Sequence, residues 1–261
     1  MTRRRFYAPP SAFNSSLKNV TLQSDEARHL REVLRLKVGD EVYVFNGEGK
    51  EFHCRIEESR RDTARLQVIE EVAPARPESP LQLTLAVALL KGEKFDLVVQ
   101  KATELGVIRL VPVVTKLADI RLRDASDAAK RVARWQRIAL EAAKQSGRAV
   151  VPEVTGPVSF ASLLQDDADK LSDAAAGSEF YRLMFSERDG QSLAKARATL
   201  PANLSVLTAL VGSEGGWTNE ELAAARQSGW TIVTLGGRTL RAETAAIAVA
   251  VLLQHIAGDL V

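Results

Sequence analysis

Cysteine and histidine are scarce in this chain of 261 residues, which has one cysteine, Cys54, and three scattered histidines, His29, His53 and His255. A single thiol cannot form an internal disulfide bond, and histidines this far apart supply no metal-ligand motif. We therefore predict a reducing, cytoplasmic setting and no bound metal ion.

Long apolar runs are also missing. The longest one, Ala245 to Leu253, is too short and too rich in alanine to span a bilayer. The basic start of the chain, MTRRRFYAPP, is not followed by the apolar stretch of a secretory signal, so we interpret it as mature sequence. The sequence therefore predicts no membrane role.

A strong excess of charge of one sign is the third absence, because the net charge is only +2. Hydrophobic residues make up 46% and charged residues 26% of the chain, which is typical of a globular protein with a buried core. Any affinity for a polyanion must therefore come from where the charges lie.

Basic residues are concentrated in two places. Residues 1–37 hold eight Lys or Arg and three Asp or Glu, and the segment 127–148, if it is helical, carries basic side chains on one side. A solvated helix face explains one such stripe, whereas two basic surfaces on different domains fit a bound RNA. The residues that we predict to bind RNA are Arg3, Arg4, Arg28, Arg31, Arg35, Lys91 and Arg148.

Three prolines, Pro74, Pro77 and Pro80, indicate a linker at residues 74–80. Before it, short runs such as EVYVF, EFHCRI and ARLQVI alternate with period two, which predicts a small antiparallel barrel over residues 1–73. After it, strand-like and helical runs alternate over residues 81–261, which is typical of an α/β domain with a mostly parallel sheet.

The expected order of elements in the second domain follows from these runs. The predicted strands are 81–90, 108–114, 181–185, 205–211 and 230–235, and the predicted helices are 93–105, 127–145, 219–227 and 243–255. Residues 165–178 are polar and rich in alanine, and we interpret them as a surface connection.

Two glycine clusters follow consecutive predicted strands. They read VGSEGGWTNEE at 211–221 and LGGRTLRAETAAIAVA at 235–250. Glycine permits positive φ and close approach of a ligand, and ligands of such sheets bind where strands end. Glycines also simply end strands, but two glycine-rich exits favour one shared site. Neither cluster has the spacing of a P-loop or of a dinucleotide fingerprint, which argues against NTP or NAD.

The last predicted helix begins at the second cluster. Thr244 could cap its first amides and Glu243 would favour the positive end of its dipole, so both have an adequate structural role. Arg238 and Arg241 have no comparable structural need. The following run, AAIAVAVLLQ, is apolar on all sides. This predicts a helix that is covered by the domain or by a second copy of the chain, and it suggests a homodimer.

Five segments together resemble one family. They are HLREVLRLKVGDEV, KGEKFDLVVQKATELGV, QSGR, VGSEGG and LGGRTLRAETA, and they follow one another along nearly the whole chain. In this combination they resemble the RsmE family of bacterial methyltransferases, which act on N3 of one uridine in small-subunit (16S) ribosomal RNA. The sequence departs from the family pattern at Ser213, where proline is usual, and at Lys144, where glutamate is usual.

The resemblance implies a PUA-like β-barrel at the N-terminus and a C-terminal SPOUT-type α/β domain with a trefoil knot. It also implies a homodimer that binds S-adenosylmethionine in the loops of the knot. Carried onto this sequence, the implied cofactor-binding residues are Val211, Gly212, Ser213, Glu214, Gly215, Gly216, Leu235, Gly236, Leu240, Ala242 and Thr244.

The acceptor chemistry indicates the catalytic candidates. Uridine N3 must lose a proton before it can attack a methyl group, and the resulting charge spreads over the base. We predict that Arg241 stabilises this charge, and that Glu243 or Glu214 accepts the proton or orients the arginine, with Glu243 as the candidate base. Two alternatives stay open: a SPOUT enzyme that methylates a ribose hydroxyl, and a non-catalytic RNA-binding assembly factor.

Overall fold

The computed structural model describes residues 3–120, 122–165 and 180–260. The surface connection that we predict at 165–178 lies outside these residues, except for Gln165. Internal contacts divide the chain into two compact units. The N-terminal unit comprises Met1–Glu78 and Leu140–Val151, and the C-terminal unit comprises Ser79–Ala139 and Pro152–Val261.

The sheet of the N-terminal unit has five strands in the order β1-β3-β4-β5-β2 and forms half of a barrel. Neighbouring strands are antiparallel except β1 and β3, which form a parallel pair that the period-two pattern does not predict. The strands are β1 (Arg5–Tyr7), β2 (Asn19–Gln23), β3 (Glu41–Phe45), β4 (Glu51–Ser59) and β5 (Thr63–Val72). Helix α1 (Ser24–Arg28) continues into a π-helical turn at His29–Val33.

Alternating side chains build the core of this unit. Along β4, Phe52, Cys54 and Ile56 are buried. Arg55, which lies between Cys54 and Ile56, and Glu57, which follows Ile56, are exposed. Burying one such large apolar side chain contributes about 1.5–3 kcal/mol. Cys54 is therefore a core residue, and its burial raises the pKa of the thiol to about 12.

The sheet of the C-terminal unit has eight strands in the order β11-β13-β10-β12-β6-β7-β8, with β9 beside β7. All of its pairs are parallel, as the alternation of strands and helices predicts. The strands are β6 (Gln82–Ala88), β7 (Arg109–Val114), β8 (Glu153–Val154), β9 (Val158–Ser159), β10 (Tyr181–Phe185), β11 (Gln191–Ser192), β12 (Val206–Val211) and β13 (Thr231–Thr234).

The helices that periodicity predicts are present within a few residues of their predicted ends. They are α2 (Lys94–Glu104), α3 (Ala125–Ser146), α6 (Asn219–Gln227) and α7 (Ala242–Ala257), and two short helices, α4 at residues 160–165 and α5 (Leu193–Arg197), lie between them. No helix of the described residues is long and apolar enough to cross a membrane. The trefoil knot implied by the resemblance stays a prediction, because the order of strands does not by itself define how the chain is threaded.

Helix α7 is covered on most of its circumference. It packs against α2, β6 and β12, and Ala246, Val249, Ala250 and Leu253 are buried. Its remaining side is open, since Val251 is 38% exposed and Thr244 and His255 are exposed on that side as well. The described residues of the C-terminal unit therefore do not cover the whole circumference of this apolar helix.

Candidate active site

Three segments of the C-terminal unit meet at one edge of the parallel sheet. They follow β6, β12 and β13, and because parallel strands end at the same edge, the residues after these strands lie near one another. The segment after β6 leads into α2, and the other two are the glycine clusters that lead into α6 and α7. The order of the sheet thus brings the two clusters to the same side of the unit.

The first glycine cluster forms a tight turn directly after β12. The amide of Gly216 donates to the carbonyl of Ser213 (3.0 Å), and Oγ of Ser213 donates to the carbonyl of Leu117 (3.2 Å). Gly215 lies so close to this carbonyl that an added Cβ would be 2.7 Å from it. An added Cβ on Gly212 would likewise lie 3.0 Å from the ring of Trp217. These two glycines therefore make room for protein atoms.

A capping box holds the end of this turn. Thr218 is the N-cap of α6, and its side chain and that of Glu221 satisfy each other's backbone amides. Glu221 is 4% exposed, and its second carboxylate oxygen accepts from the amide of Lys116 (2.9 Å). The indole of Trp217 donates to the carbonyl of Phe185 (2.8 Å). Hydrogen bonds consequently fix the turn to two neighbouring segments, the one after β7 and the end of β10, before any ligand binds.

Three other glycines of the two clusters border open space. Gly216, Gly236 and Gly237 have φ angles of +69°, +69° and +71°, and an added Cβ on any of them would meet no atom within 4 Å. Beside them, Leu235 is half-buried and Leu240 is 38% exposed. A left-handed backbone next to open space and exposed leucine is a suitable surface for a ligand with an apolar part.

Helix α7 starts one residue earlier than we predict, and this changes the roles at its N-terminus. Arg241 is the N-cap, no side chain makes the capping hydrogen bond, and Thr244 is exposed in the first turn. The prediction that Thr244 caps the helix is therefore wrong. Glu243 is 9% exposed, and its Oε2 has no hydrogen-bond partner among the described residues. A buried carboxylate oxygen without a donor needs an explanation beyond the helix dipole.

Lys94 connects the two glycine clusters. Its Nζ donates to Oε1 of Glu214 (2.6 Å) and lies 3.9 Å from Oε2 of Glu243. The hydrogen bond to Glu214 raises the pKa of Lys94. Burial acts to raise the pKa of Glu214, but the hydrogen bond from Lys94 holds it below the ordinary value. Both groups are therefore charged near neutral pH.

Sequence reasoning missed Lys94 as a site residue. The signal was its position in KGEKF, directly after a buried strand of the same sheet, where the first residues of the next helix face the ligand edge. Lys91 in the same segment was predicted to bind RNA. It is exposed and paired with Asp119 at 2.6 Å, and the hydrogen bond from Lys91 lowers the pKa of that carboxyl.

The arginines predicted to bind RNA fall into two groups in the N-terminal unit. Arg4, Arg28 and Arg35 are exposed, and Arg31 is half-buried and bound to Glu32 and to the carbonyl of Arg60. Arg35 has a φ of +53°, a left-handed backbone conformation that residues other than glycine seldom adopt.

The second group is used within the fold. Arg3 pairs with Glu51, a fully buried carboxylate that also accepts from Arg5. Arg148 is 5% exposed and donates to Glu78 through Nε (2.9 Å) and a terminal nitrogen (2.7 Å). A buried arginine in such a pair is not accessible to a polyanion, so Arg148 is left out of the RNA surface proposed below.

Comparison with known proteins gives the relationships of the chain. The RNA methyltransferase domain matches residues 77–254, and the RNA methyltransferase PUA domain matches residues 22–69. The ribosomal RNA small subunit methyltransferase E of Synechocystis sp. is 33% identical over 248 residues, which are 94% of this chain and 75% of that protein. The chain belongs to the RsmE family.

Solved structures extend this relationship over the whole fold. The structure of the RsmE protein of Neisseria gonorrhoeae bound to S-adenosyl methionine is 33% identical to the chain, has a TM-score of 0.82 and covers 100% of both chains. A putative methyltransferase of Legionella pneumophila in complex with the same cofactor is 28% identical, also with a TM-score of 0.82, over 99% of this chain and 100% of that one. The predicted SPOUT-type fold with an N-terminal PUA-like domain is thereby confirmed.

The two departures from the RsmE pattern each have a partner in the structure. Ser213 uses its hydroxyl to bind the carbonyl of Leu117, which proline at this position could not do. Lys144 donates to Glu26 at 2.6 Å within the N-terminal unit. In this RsmE-family chain, serine therefore fixes the first glycine turn through a side-chain hydrogen bond in place of a proline ring.

Proposed function

We propose that this chain transfers a methyl group from S-adenosylmethionine to N3 of a uridine in small-subunit (16S) ribosomal RNA. The observation that carries the proposal is the position of Lys94 between Glu214 and Glu243. Because Glu214 belongs to the first glycine cluster and Glu243 to the second, this contact joins the two clusters in one site. The names of the relatives support the substrate, and the bound cofactor in two solved relatives supports the methyl donor.

The residues of this edge fit the cofactor. Gly216, Gly236 and Gly237 leave open space beside a backbone that can offer amides and carbonyls, and Leu235 and Leu240 offer apolar surface to a purine. S-adenosylmethionine supplies a methyl group on a positively charged sulfur. The residues that we propose to hold it are Val211, Gly212, Ser213, Glu214, Gly215, Gly216, Leu235, Gly236, Leu240, Ala242 and Thr244.

Two side chains of the α7 start would act on the uridine. Glu243 accepts the proton from N3 on its unpaired Oε2, so that the N–H bond breaks as an O–H bond forms. Arg241 is exposed at the N-cap and stabilises the negative charge that remains on the base oxygens. N3 then forms its bond to the methyl carbon as the bond from carbon to sulfur breaks. No step requires a metal ion.

The N-terminal unit would hold the RNA. We propose that residues 1–73 form an RNA-binding domain, that 74–80 is a linker and that 81–261 is the methyltransferase domain. The proposed contacts in this unit are the exposed Arg4, Arg28 and Arg35 and the half-buried Arg3 and Arg31, and Lys91 is a further proposed contact in the C-terminal unit. The target uridine must be unstacked, because its Watson–Crick edge is hidden in a helix.

We propose that the protein acts in the cytoplasm. Its proposed ribosomal RNA substrate and the buried free thiol of Cys54 both favour this location.

We also propose a homodimer in which a second copy covers the open side of α7. An exposed valine on an apolar helix favours burial against another protein surface. Substituting Val251→Asp should convert dimers to monomers in light scattering after size exclusion, while Val251→Ala should leave them dimeric. A monomeric wild-type protein at micromolar concentration would contradict this part of the proposal.

The uridine proposal is tested with ribosomal RNA from a bacterial strain that lacks its own RsmE. The purified protein and S-adenosylmethionine should convert one unmodified uridine to 3-methyluridine, detected by mass mapping of nuclease fragments. Arg241→Ala should lower turnover by about 100-fold with little change in cofactor affinity measured by calorimetry. If no uridine base is methylated, the proposal is wrong. A methylated ribose would instead support the alternative in which a ribose hydroxyl is the acceptor.

A further inference from the structure

Glu243 has a buried carboxyl oxygen that lacks a hydrogen bond from any described residue. The residue lies in the first turn of α7 and is 9% exposed, and the unpaired oxygen is Oε2. Burying a carboxyl oxygen without a partner is costly. A positive charge close to this oxygen would compensate part of that cost.

The ammonium of Lys94 supplies this charge. It lies 3.9 Å from the unpaired Oε2, which is within the range of an ion pair and too far for a hydrogen bond. Its own hydrogen bond goes to Glu214 at 2.6 Å. Glu214 thus holds the ammonium in place, and the ammonium keeps one face toward Glu243.

Other charged groups near this trio act on it more weakly. The positive charge of Arg241, two residues before Glu243, acts to lower the pKa of Lys94. Asp119 acts on Glu214 from the segment after β7, but it is itself paired with Lys91. Among the described residues, Lys94 is therefore the cation that is paired with Glu243 in the structure.

We propose that Lys94 is a positioning residue that orients the carboxyl group of Glu243 for proton acceptance, while Glu214 anchors the lysine. The inference rests on the proposed function, because it assigns Glu243 a proton to accept. It explains why a lysine lies between two carboxylates at a methyl-transfer site: one carboxylate is an anchor, and the other is kept free of hydrogen bonds so that its oxygen can take the proton from N3.

The first experiment needs no catalysis. The free energy of unfolding in urea is measured for the wild type, Lys94→Met, Glu243→Gln and the double variant. Lys94→Met should lower it less in the Glu243→Gln background than in the wild type, because the ion pair with residue 243 is already absent there. Lys94→Arg should retain most of the wild-type free energy of unfolding. Lys101→Met, on the same helix but paired with Glu104, is the matched control.

The second experiment measures the reaction. Single-turnover methylation should be slowed by roughly 100-fold in Lys94→Met near neutral pH, within the range of general acid–base effects. Lys94→Arg should recover most of this rate, while the calorimetric affinity for S-adenosylmethionine stays within a few-fold of wild type in both variants. In the Glu243→Gln background Lys94→Met should cause little further loss, whereas a purely structural role would slow both backgrounds by the same factor.

The outcomes are distinct. Coupled effects of Lys94→Met and Glu243→Gln on stability, together with a rate that Lys94→Arg recovers, support the proposal. Additive effects on stability overturn it, and so does an equal loss of rate in the two backgrounds. If the wild-type protein fails to methylate uridine, the proposed function fails, whereas the unfolding cycle still decides whether Lys94 acts on Glu243. Thermal melting of each variant shows that it is folded before its rate is interpreted.

Discussion

Gly215 provides the sharpest test of how the first glycine turn is built. Its added Cβ would lie 2.7 Å from the carbonyl oxygen and 2.9 Å from the Cβ of Leu117, whereas ordinary contacts of this kind begin at 3.4 Å. The carbonyl is part of the backbone and already accepts a hydrogen bond from Ser213. It cannot move away without disturbing that bond. The substitution Gly215→Ala must therefore displace the turn or the segment of Leu117.

The expected cost follows from this overlap. Inserting one methyl group into a packed contact of protein atoms costs about 1–3 kcal/mol. For a unit of this size, each kcal/mol lowers the melting temperature by about 2–4 °C, so we expect a decrease of roughly 2–12 °C. Displacement of the turn should also weaken binding of S-adenosylmethionine by about tenfold, because small misplacements of a binding loop are costly.

Differential scanning calorimetry and titration calorimetry measure the two effects. Gly156→Ala is the matched control, since its added Cβ would meet no atom within 4 Å and its φ is not positive. That variant should melt at the wild-type temperature or up to about 4 °C above it, because an unhindered glycine-to-alanine change is neutral or slightly stabilising. Wild-type melting and cofactor affinity in Gly215→Ala would refute the argument that Gly215 is there to make room for Leu117.

Three further predictions concern groups outside this contact. Arg148→Ala should lower the free energy of unfolding by about 3 kcal/mol in urea titrations, because it leaves Glu78 without its cation. A loss below about 1 kcal/mol would contradict a structural role of Arg148. Although burial opposes it, the hydrogen bond from Lys94 lowers the folded pKa of Glu214 below 4.5. Its stabilisation should therefore be present above pH 4.5 and be lost as the pH falls through the lowered value, so the difference in urea midpoint between wild type and Glu214→Gln should shrink on acidification. The thiol of Cys54, whose pKa is raised to about 12, should not react with iodoacetamide in the native protein at about pH 8 but should react after unfolding.

Local patterns in the sequence predicted most of the elements. The limits of β10 and α6 agree with the predicted ones, and the other main strands and helices of the C-terminal unit differ by at most three residues at each end. This success has a simple cause: a strand buried on both faces forms a continuous run of apolar residues, and a helix buried on one face has apolar residues at helical spacing. The boundary of α7 was missed by one residue because Arg241 adopts the N-cap conformation without a capping side chain.

The order of strands and helices, the two glycine-rich strand exits and the resemblance to the RsmE family could all be recognised in the amino-acid sequence. The folded arrangement was needed to show which glycines face protein and which face open space, that Arg148 is buried against Glu78, and that Lys94 lies between Glu214 and Glu243. Lys94 and Glu214 are 120 residues apart. Their contact depends on the lateral order of strands in the sheet, and side-chain periodicity within one strand carries no information about which strand lies beside it.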